Sequence, residues 1–429
     1  MKALSGHFKF VFCLLIVYAI LLEGCLADNA ELPADSLTSL PLIVPLETEV
    51  PIAEKTEIAA APTTPPVFSG PFMMVEGLDE DISPSFDALV STADGTVWLI
   101  TEEQVVKILD TKLGVFLEDY PGKIMAVDDM ERVWVISEDG EISAWNGTSW
   151  TTYGAETGWT PSMETNSSAV TAGQSDLEGL TWFATPQDVR SFDGSQWTIY
   201  SVEEMGMAPP VYEDLMRQFT VTVTKNGKVW VGGCDWGGPG PFGGGGVRWL
   251  EEGTWQGASS PVSSGCVNTI IEDNLGRIWA GVDSNLWRYD PGSGNWEEFS
   301  TPDSPIAEMR FGLIDSLAVD PDNDVWPVFV LCGGASCFGN CVLYHLHDEQ
   351  WTQVGEVGEY DSGYWGPLFD VNGISWLYWL GGIYRVTGDL PELVSPLIGR
   401  YGTVDNAGRV WFMAPYEKSD RLWVLDNAQ

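Results

Sequence analysis

The sequence predicts an all-β fold, and three of its features point to this class. The chain has 429 residues, 44% of them apolar, so it can bury a large core. It contains 47 Gly, 26 Pro and 21 Trp, a mixture that suits short strands joined by tight turns. A tryptophan pattern also recurs along the chain at a spacing typical of repeated β units. We therefore expect many short antiparallel strands.

The N-terminus has the pattern of an export signal. An apolar run from Phe10 to Leu22 follows two lysines and is too short to span a bilayer. It ends in the residues LEGC, which resemble the bacterial lipobox and predict lipidation of Cys25, although Glu23 departs from the usual small or apolar residue. Cleavage after Ala27, with release of a secreted protein, is the alternative.

Composition divides the chain into three parts. Residues 1–25 form the predicted signal peptide with its lipobox-like end. Residues 26–69 are rich in Pro, Ala, Thr and Glu and have no apolar period, which predicts a disordered linker. Residues 70–429 carry the repeats and form the predicted folded domain.

The repeat is marked by a small or β-branched residue followed by tryptophan. Its eight copies lie 35 to 50 residues apart, close to the spacing of about 40 to 50 residues of propeller blades. Glycine stands three positions before the tryptophan in six copies, where its positive φ suits a hairpin turn. The repeat tryptophans are Trp98, Trp134, Trp182, Trp230, Trp279, Trp326, Trp376 and Trp411.

The clearest copy, from Val267 to Phe299, shows four strands. The segments VNTII, RIWAG and LWRYD are followed by a turn and a fourth strand that begins near Trp296. We therefore predict a single β-propeller of eight four-stranded blades, with seven blades as the alternative. The last repeat is one strand short, so we expect the apolar segment from Phe72 to Val75 to pair there and close the last blade.

The segments EDNLGRIWAG and LWRYD resemble the two-component-regulator propeller repeats of periplasmic sensor regions in bacterial hybrid kinases. More distantly, the repeat is similar to streptogramin-lyase-type propellers, whose His, carboxylate and metal site has no residue-by-residue match here. The shared residues build turns and blade packing. The resemblance therefore implies the fold and leaves the ligand open.

Charge limits the class of partner. The chain has 62 acidic and 20 basic residues, a formal charge of -42, which repels nucleic acid and anionic lipid surfaces. We therefore expect no nucleic-acid partner, and contact with a membrane only through a lipid anchor. We expect a monomer.

Long insertions are confined to one end of the predicted blades, which we call the loop face; the repeat turns lie on the opposite turn face. Flat aromatic side chains near carboxylates suit sugars, peptides or cations, so we predict a ligand site on the loop face. The alternative is that these aromatic residues pack between blades. The predicted ligand-binding residues are Trp159, Tyr212, Trp236, Phe242, Tyr360, Tyr364 and Trp365. Trp236 lies in a glycine-rich segment, Gly232 to Gly246, which we expect to be a loop.

The cysteines of an exported chain are expected to form disulfides. We predict bonds between Cys234 and Cys266 and between Cys332 and Cys341, which leaves Cys337 unpaired. A zinc site is the alternative, built from Cys332, Cys337 and Cys341 with two histidines. Those histidines, His345 and His347, share one side of a predicted strand. Because disulfides are the default in this compartment, we expect no metal and no cofactor.

The sequence favours a recognition module over an enzyme. A ligand of the small-molecule, glycan or protein class would bind the loop face. One alternative is a lyase or glycan-active hydrolase that uses His345, His347 and loop carboxylates; a cell-surface scaffold is another. Since acid and base catalysis needs a convergent pair, and the sequence shows none, we predict no catalytic residue.

Overall fold

The computed structural model describes residues 72–75 and most of residues 86–425. The longer gaps are residues 161–170, 211–215, 304–309, 360–364 and 396–401. The predicted signal peptide and linker, with Cys25, lie outside the described residues. Strands dominate the described part, which also contains a short 3-10 turn, Ala155–Thr157. Among the described residues, no helical segment has the length and apolar character needed to span a membrane.

The described strands form a series of four-stranded antiparallel meanders, which we number sheet 1 to sheet 8. Sheet 1 consists of β2 (Phe86–Ser91), β3 (Val97–Thr101), β4 (Gln104–Leu109) and β5 (Lys112–Glu118). Sheet 2 consists of β6 (Lys123–Asp128), β7 (Val133–Ile136), β8 (Ile142–Trp145) and β9 (Trp150–Tyr153). Sheet 3 consists of β10 (Thr171–Ser175), β11 (Thr181–Ala184), β12 (Val189–Phe192) and β13 (Trp197–Tyr200). Sheet 4 consists of β14 (Met216–Val223), β15 (Val229–Gly237), β17 (Gly246–Glu251) and β18 (Thr254–Gly257), with the short β16 (Gly240–Pro241) beside β15.

The second half of the chain repeats the arrangement. Sheet 5 consists of β19 (Val267–Glu272), β20 (Ile278–Val282), β21 (Asn285–Asp290) and β22 (Asn295–Phe299). Sheet 6 consists of β23 (Arg310–Val319), β24 (Val325–Gly333), β25 (Ser336–His347) and β26 (Gln350–Glu359). Sheet 7 consists of β27 (Trp365–Phe369), β28 (Ser375–Trp379), β29 (Gly382–Thr387) and β30 (Leu390–Ser395). Sheet 8 consists of β31 (Gly402–Val404), β32 (Val410–Tyr416), β33 (Ser419–Leu425) and the N-terminal β1 (Phe72–Met74).

Two pairings depart from simple meanders. β1 pairs antiparallel with β33, with Phe72 opposite Leu425, so the N-terminal segment supplies the fourth strand of sheet 8. β10 pairs in parallel with β6, with Thr171 opposite Ala126, and this joins sheets 2 and 3 into one hydrogen-bonded sheet. In both cases the added strand pairs with a sheet edge whose backbone N–H and C=O groups would otherwise lack partners.

Apolar side chains pack each sheet against the next. One cluster brings Trp134 of sheet 2 against Phe183 of sheet 3, and comparable clusters join each later pair of neighbours. Another cluster joins sheets 1 and 2. A further one places Leu99 of sheet 1 with Trp411 of sheet 8. Burying one such large side chain stabilises the fold by about 1.5–3 kcal/mol.

An aspartate six residues before the repeat tryptophan organises the turn between the first two strands of a sheet. In sheet 2, Asp128 Oδ1 accepts the backbone N–H groups of Met130 and Arg132, both at 2.9 Å, and Oδ2 accepts the Trp134 indole N–H at 2.7 Å. The same indole bond, at 2.7 to 3.0 Å, recurs in five more sheets. Its pairs are Asp176 with Trp182, Asp273 with Trp279, Asp320 with Trp326, Asp370 with Trp376, and Asp405 with Trp411.

The repeat turn has positive φ in all eight copies, including the two without glycine. Glu131 and Asn323 have φ of 60° and 71°, close to the 70° to 85° of the glycines at the same position. The left-handed conformation is strained for residues with a Cβ and best tolerated by Asn among them. The turn geometry therefore overrides residue preference at these two positions.

Sheets 1 and 4 have a threonine in place of the aspartate, and sheet 1 shows what the bond supplies. Thr92 takes the turn position, and its hydroxyl donates to the Thr96 carbonyl at 3.2 Å. The indole nitrogen of Trp98 is buried and has no hydrogen-bond partner among the residues that the structure describes. A buried N–H without a partner costs about 1–3 kcal/mol.

We predict that Thr92→Asp stabilises the protein by about 1 kcal/mol, because the carboxylate can accept the Trp98 indole N–H and the N–H groups of the turn. The reciprocal change, Asp370→Thr in sheet 7, should destabilise by about 1–3 kcal/mol. Urea-induced unfolding followed by circular dichroism measures both. A Thr92→Asp protein no more stable than the wild type would contradict the assigned role of the aspartate.

Candidate functional site

Trp159 lies on the loop face at the boundary of sheets 2 and 3, where it is a core residue. Its side chain is 2% exposed, and its indole N–H donates to the Gly140 carbonyl at 2.8 Å. The Arg190 guanidinium covers one face of the ring at 4.1 Å, and Trp197 contacts it edge-on at 4.9 Å. The face of this indole is therefore not exposed to a ligand, which for Trp159 favours the packing alternative.

The buried Arg190 also fixes the loop that carries Trp159. It forms a two-pronged ion pair with Asp188, at 2.7 and 2.9 Å, and donates to the Thr160 carbonyl at 2.8 Å. A guanidinium held in this way is a rigid donor, since both the charge and the geometry of the fork are satisfied. The start of the loop is thereby attached to sheet 3.

Sheet 4 repeats this arrangement of a buried arginine, its carboxylate partner and a loop carbonyl. Arg217 pairs with Asp235 at 2.5 and 2.8 Å, both side chains being buried, and it donates to the Ala208 carbonyl at 2.7 Å. Ala208 belongs to the segment between sheets 3 and 4, whose Met205 and Met207 are buried. The loop is therefore held both by apolar packing and by a charged donor.

A third arginine, Arg248, reaches the same segment. Its guanidinium is buried and donates to the carbonyls of Gly206 at 2.8 Å and of Val247 at 2.9 Å. Burial lowers the pKa of Arg248, and the nearby charge of Arg217 lowers it further. Because a desolvated cation is costly, these carbonyl bonds are expected to hold the segment firmly.

The predicted bond between Cys234 and Cys266 is confirmed. The disulfide joins β15 of sheet 4 to the residue before β19 of sheet 5, with the two Cα atoms 4.1 Å apart. The Cys266 backbone N–H donates to the Asp283 carboxylate at 2.8 Å. Two neighbouring sheets are thus cross-linked covalently on the loop face.

The predicted bond between Cys332 and Cys341 is not formed. Cys341 is a free, buried thiol in the apolar cluster between sheets 6 and 7, and burial raises its pKa to about 12. The residue directly opposite Cys341 on β24 is Val330, so Cys332 lies further along the strand rather than across from it. The side chains of Cys332 and Cys337 lie outside the described residues.

The positions of the described residues also do not fit the zinc alternative built from three cysteines and two histidines. His345 stands four residues after Cys341 on β25, about 13 Å along the strand. A buried thiol with a raised pKa is a poor source of the thiolate that zinc requires. The cysteines and the histidines therefore belong to different parts of sheet 6.

Trp236 and Trp365 lie in strands rather than loops. Trp236 is in β15, opposite Met216 and Pro241, so the expected loop from Gly232 to Gly246 is a strand for much of its length. The strand extends because β14 offers it a matching partner edge. Trp365 begins β27. The side chains of both lie outside the described residues, so their role in binding stays a prediction.

The other predicted ligand-binding residues have no described position. They are Tyr212, Phe242, Tyr360 and Tyr364. They too remain predictions.

His345 and His347 lie at the end of β25 beside the repeat turn of sheet 6, on the turn face. Asp324 Oδ2 is 3.2 Å from His345 Nε2 and 2.7 Å from His347 Nδ1. The hydrogen bond to Asp324 raises the pKa of His347 above its ordinary value, and the charges of Asp324 and Asp348 raise it further. Sequence reasoning missed Asp324, although its place two residues before a repeat tryptophan is the signal that could have identified it.

No family model and no curated protein matches the chain. Among solved structures, it is similar to the extracellular domain of a protein assigned as hybrid two-component system BT3049 from B. thetaiotaomicron, with 14% identity and a TM-score of 0.33 over 79% of this chain and 58% of that one. PorZ, a surface component of the type-IX secretion system of Porphyromonas gingivalis, matches with 16% identity and a TM-score of 0.36 over 76% of this chain and 49% of that one. BamB from Moraxella catarrhalis matches with 11% identity and a TM-score of 0.44 over 83% and 98%.

The structural neighbours include extracellular domains of two-component systems, the class whose repeats the sequence resembles. The chain spans about half the length of the BT3049 and PorZ structures and of the BT4673 extracellular domain, which also matches. Likenesses this distant name no ligand and no partner for this chain.

We predict that Trp159→Ala destabilises the protein by about 3–5 kcal/mol, because it empties a packed site and strips the cover from Arg190. Leu177→Ala is the matched control: Leu177 is 75% exposed, and its loss should change stability by less than about 0.5 kcal/mol. Urea unfolding measures both. Equal stabilities would mean that Trp159 is not a core residue.

We also predict that Cys341 resists iodoacetamide in the native protein and reacts once the chain is unfolded, since burial keeps its thiol protonated. Peptide mapping without reductant should recover Cys234 linked to Cys266. Recovery of a peptide in which Cys332 is linked to Cys341 would overturn the assignment.

Proposed function

We propose that residues 70–429 form a closed eight-bladed β-propeller that is exported, tethered through Cys25, and acts as a recognition module through its loop face. The ligand would be a glycan, a peptide or a cation. The observation that carries this proposal is the way buried arginines and a disulfide hold the loop segments on rigid sheets. Binding sites favour loops that a rigid scaffold positions in advance.

The cyclic order of the apolar clusters supports a closed ring. Each sheet packs on the next, and the sheet 8 cluster that contains Trp411 also contains Leu99 of sheet 1. The Thr403 hydroxyl of sheet 8 donates to the Ser91 hydroxyl of sheet 1 at 2.9 Å. A ring in which the last sheet covers the first leaves neither face of any sheet exposed.

Chemistry and sequence support export and tethering separately. The disulfide between Cys234 and Cys266 suits an oxidising compartment, since such bonds are rare where thiols are kept reduced. The lipid anchor rests on the lipobox-like residues that end at Cys25. A cut after Ala27 would yield the same folded domain without the anchor.

The positions of the histidines favour binding over catalysis on the loop face. The sequence has three histidines, of which only His345 and His347 belong to the folded domain. Both contact Asp324 on the turn face, away from the arginine-anchored loops. The hydrolase and lyase alternatives that use His345 and His347 need these histidines near the loop carboxylates, which this placement does not provide.

The purified full chain should bind a ligand class in a glycan and peptide array. For a ligand found in this way, Trp236→Ala should weaken binding by about 1–3 kcal/mol, because an aromatic anchor is lost. The control is Leu275→Ala on the turn face, where Leu275 is 66% exposed; it should leave affinity unchanged. Unchanged binding by Trp236→Ala together with weaker binding by Leu275→Ala would place the site on the other face.

A further inference from the structure

Strand register brings one acidic and two imidazole side chains together in sheet 6. Val325 of β24 lies opposite Leu346 of β25, so the next rung places Asp324 beside His347, with His345 on the diagonal. Residues two apart on a strand share a face, which puts all three on the same side of the sheet. One coordinating atom from each lies within 4.8 Å of the other two.

In three other sheets the position that Asp324 occupies carries an arginine. Arg132, Arg277 and Arg409 occupy it in sheets 2, 5 and 8. Each pairs with the turn aspartate four residues earlier and covers the repeat tryptophan ring at 5.0 to 5.7 Å. In sheet 6 the cation is replaced by Asp324, which follows Asp320 at the same spacing. Two carboxylates so placed repel each other unless a cation stands nearby.

The surroundings hold the imidazoles in place. His345 stacks on Trp326 with ring centres 4.0 Å apart and planes inclined by 17°, and the Trp326 indole N–H donates to Asp320 at 3.0 Å. The Asp348 carboxylate lies 3.4 Å from His347 Nε2. When Nδ1 of a histidine binds a metal, its Nε2 carries a proton, and a carboxylate beside that proton fixes the ring.

From this geometry we propose that Asp324, His345 and His347 bind one divalent zinc-type cation on the turn face. The ligand atoms are His345 Nε2, His347 Nδ1 and Asp324 Oδ2. In a tetrahedral site with bonds of about 2.0–2.1 Å, neighbouring ligand atoms lie about 3.3 Å apart. The two separations that involve Asp324 are 3.2 and 2.7 Å, and the two imidazole nitrogens lie within 4.8 Å of each other. The side chain of His347 is 61% exposed and can move to adjust its distances to the other two ligands.

The ligand set selects the metal class. Two imidazoles and one carboxylate suit zinc and its transition-metal neighbours, whereas calcium and magnesium prefer all-oxygen sites. Water can take the fourth position on the exposed side of His347. The site lies on the turn face, so it is independent of a ligand bound at the loop face.

Isothermal titration of the chelator-treated full chain with zinc chloride tests the proposal. We expect one zinc per chain, with affinity reduced at least about tenfold in His347→Asn, which removes a ligand from an exposed position. The matched control is Glu349→Gln, an exposed acidic neighbour outside the ligand set, which should bind zinc like the wild type. Calcium chloride should give no comparable binding.

The visible absorption of bound Co²⁺ is a second measurement, and nonspecific attraction of the cation to surface charge does not produce it. Tetrahedral Co²⁺ bound to the wild type should show visible absorption bands, and Asp324→Asn should lose them while its melting curve shows a folded protein. Zinc bound equally by the wild type and His347→Asn would overturn the proposal. So would equal losses in His347→Asn and Glu349→Gln, or calcium binding as tight as that of zinc.

Discussion

The bond from a turn aspartate to the indole of a tryptophan six residues later is the interaction on which the rest of the structure depends. One carboxylate satisfies two turn N–H groups and one buried indole N–H, as in Asp128 with Trp134. The turn is thereby tied to the core, and the second strand enters the sheet with its tryptophan facing the neighbouring sheet. Because the bond is local, it can be repeated along the chain without reference to the rest of the fold.

Rigid sheets leave function to their ends. On the loop face, Arg190 and Arg217 each combine a buried carboxylate partner with a bond to a loop carbonyl. Each ion pair anchors a loop segment that apolar packing also holds, through Trp159 in one case and through Met205 and Met207 in the other. On the turn face, the connecting turns are short and similar to one another. A site there therefore depends on single residues that differ from the repeat. The two ends of the sheets therefore suit different kinds of site on the same core.

Residues that depart from the repeat are informative because the other copies show which residues the fold ordinarily uses at the same position. Thr92 in sheet 1 leaves the Trp98 indole unsatisfied, so the fold tolerates the loss of one bond. Asp324 in sheet 6 reverses the charge that Arg132 supplies in sheet 2, and it does so beside two histidines. The change in sheet 1 only removes a bond, whereas the change in sheet 6 reverses a charge and brings together three possible metal ligands.

The sequence by itself determined the all-β class, the four-stranded repeat, the positive-φ turns and the pairing of Cys234 with Cys266. The first three features follow from local spacing, where turn chemistry acts over six residues and alternation sets the faces of a strand. The disulfide follows from the strand positions that the repeat assigns to its two cysteines. Only the tertiary structure decided that Trp159 is buried, that Cys341 is free, and that Asp324 meets His345 across 21 residues of chain. The reason is register: which side chains face one another across two strands depends on bulges and on packing between sheets, and β24 and β25 contain such an irregularity.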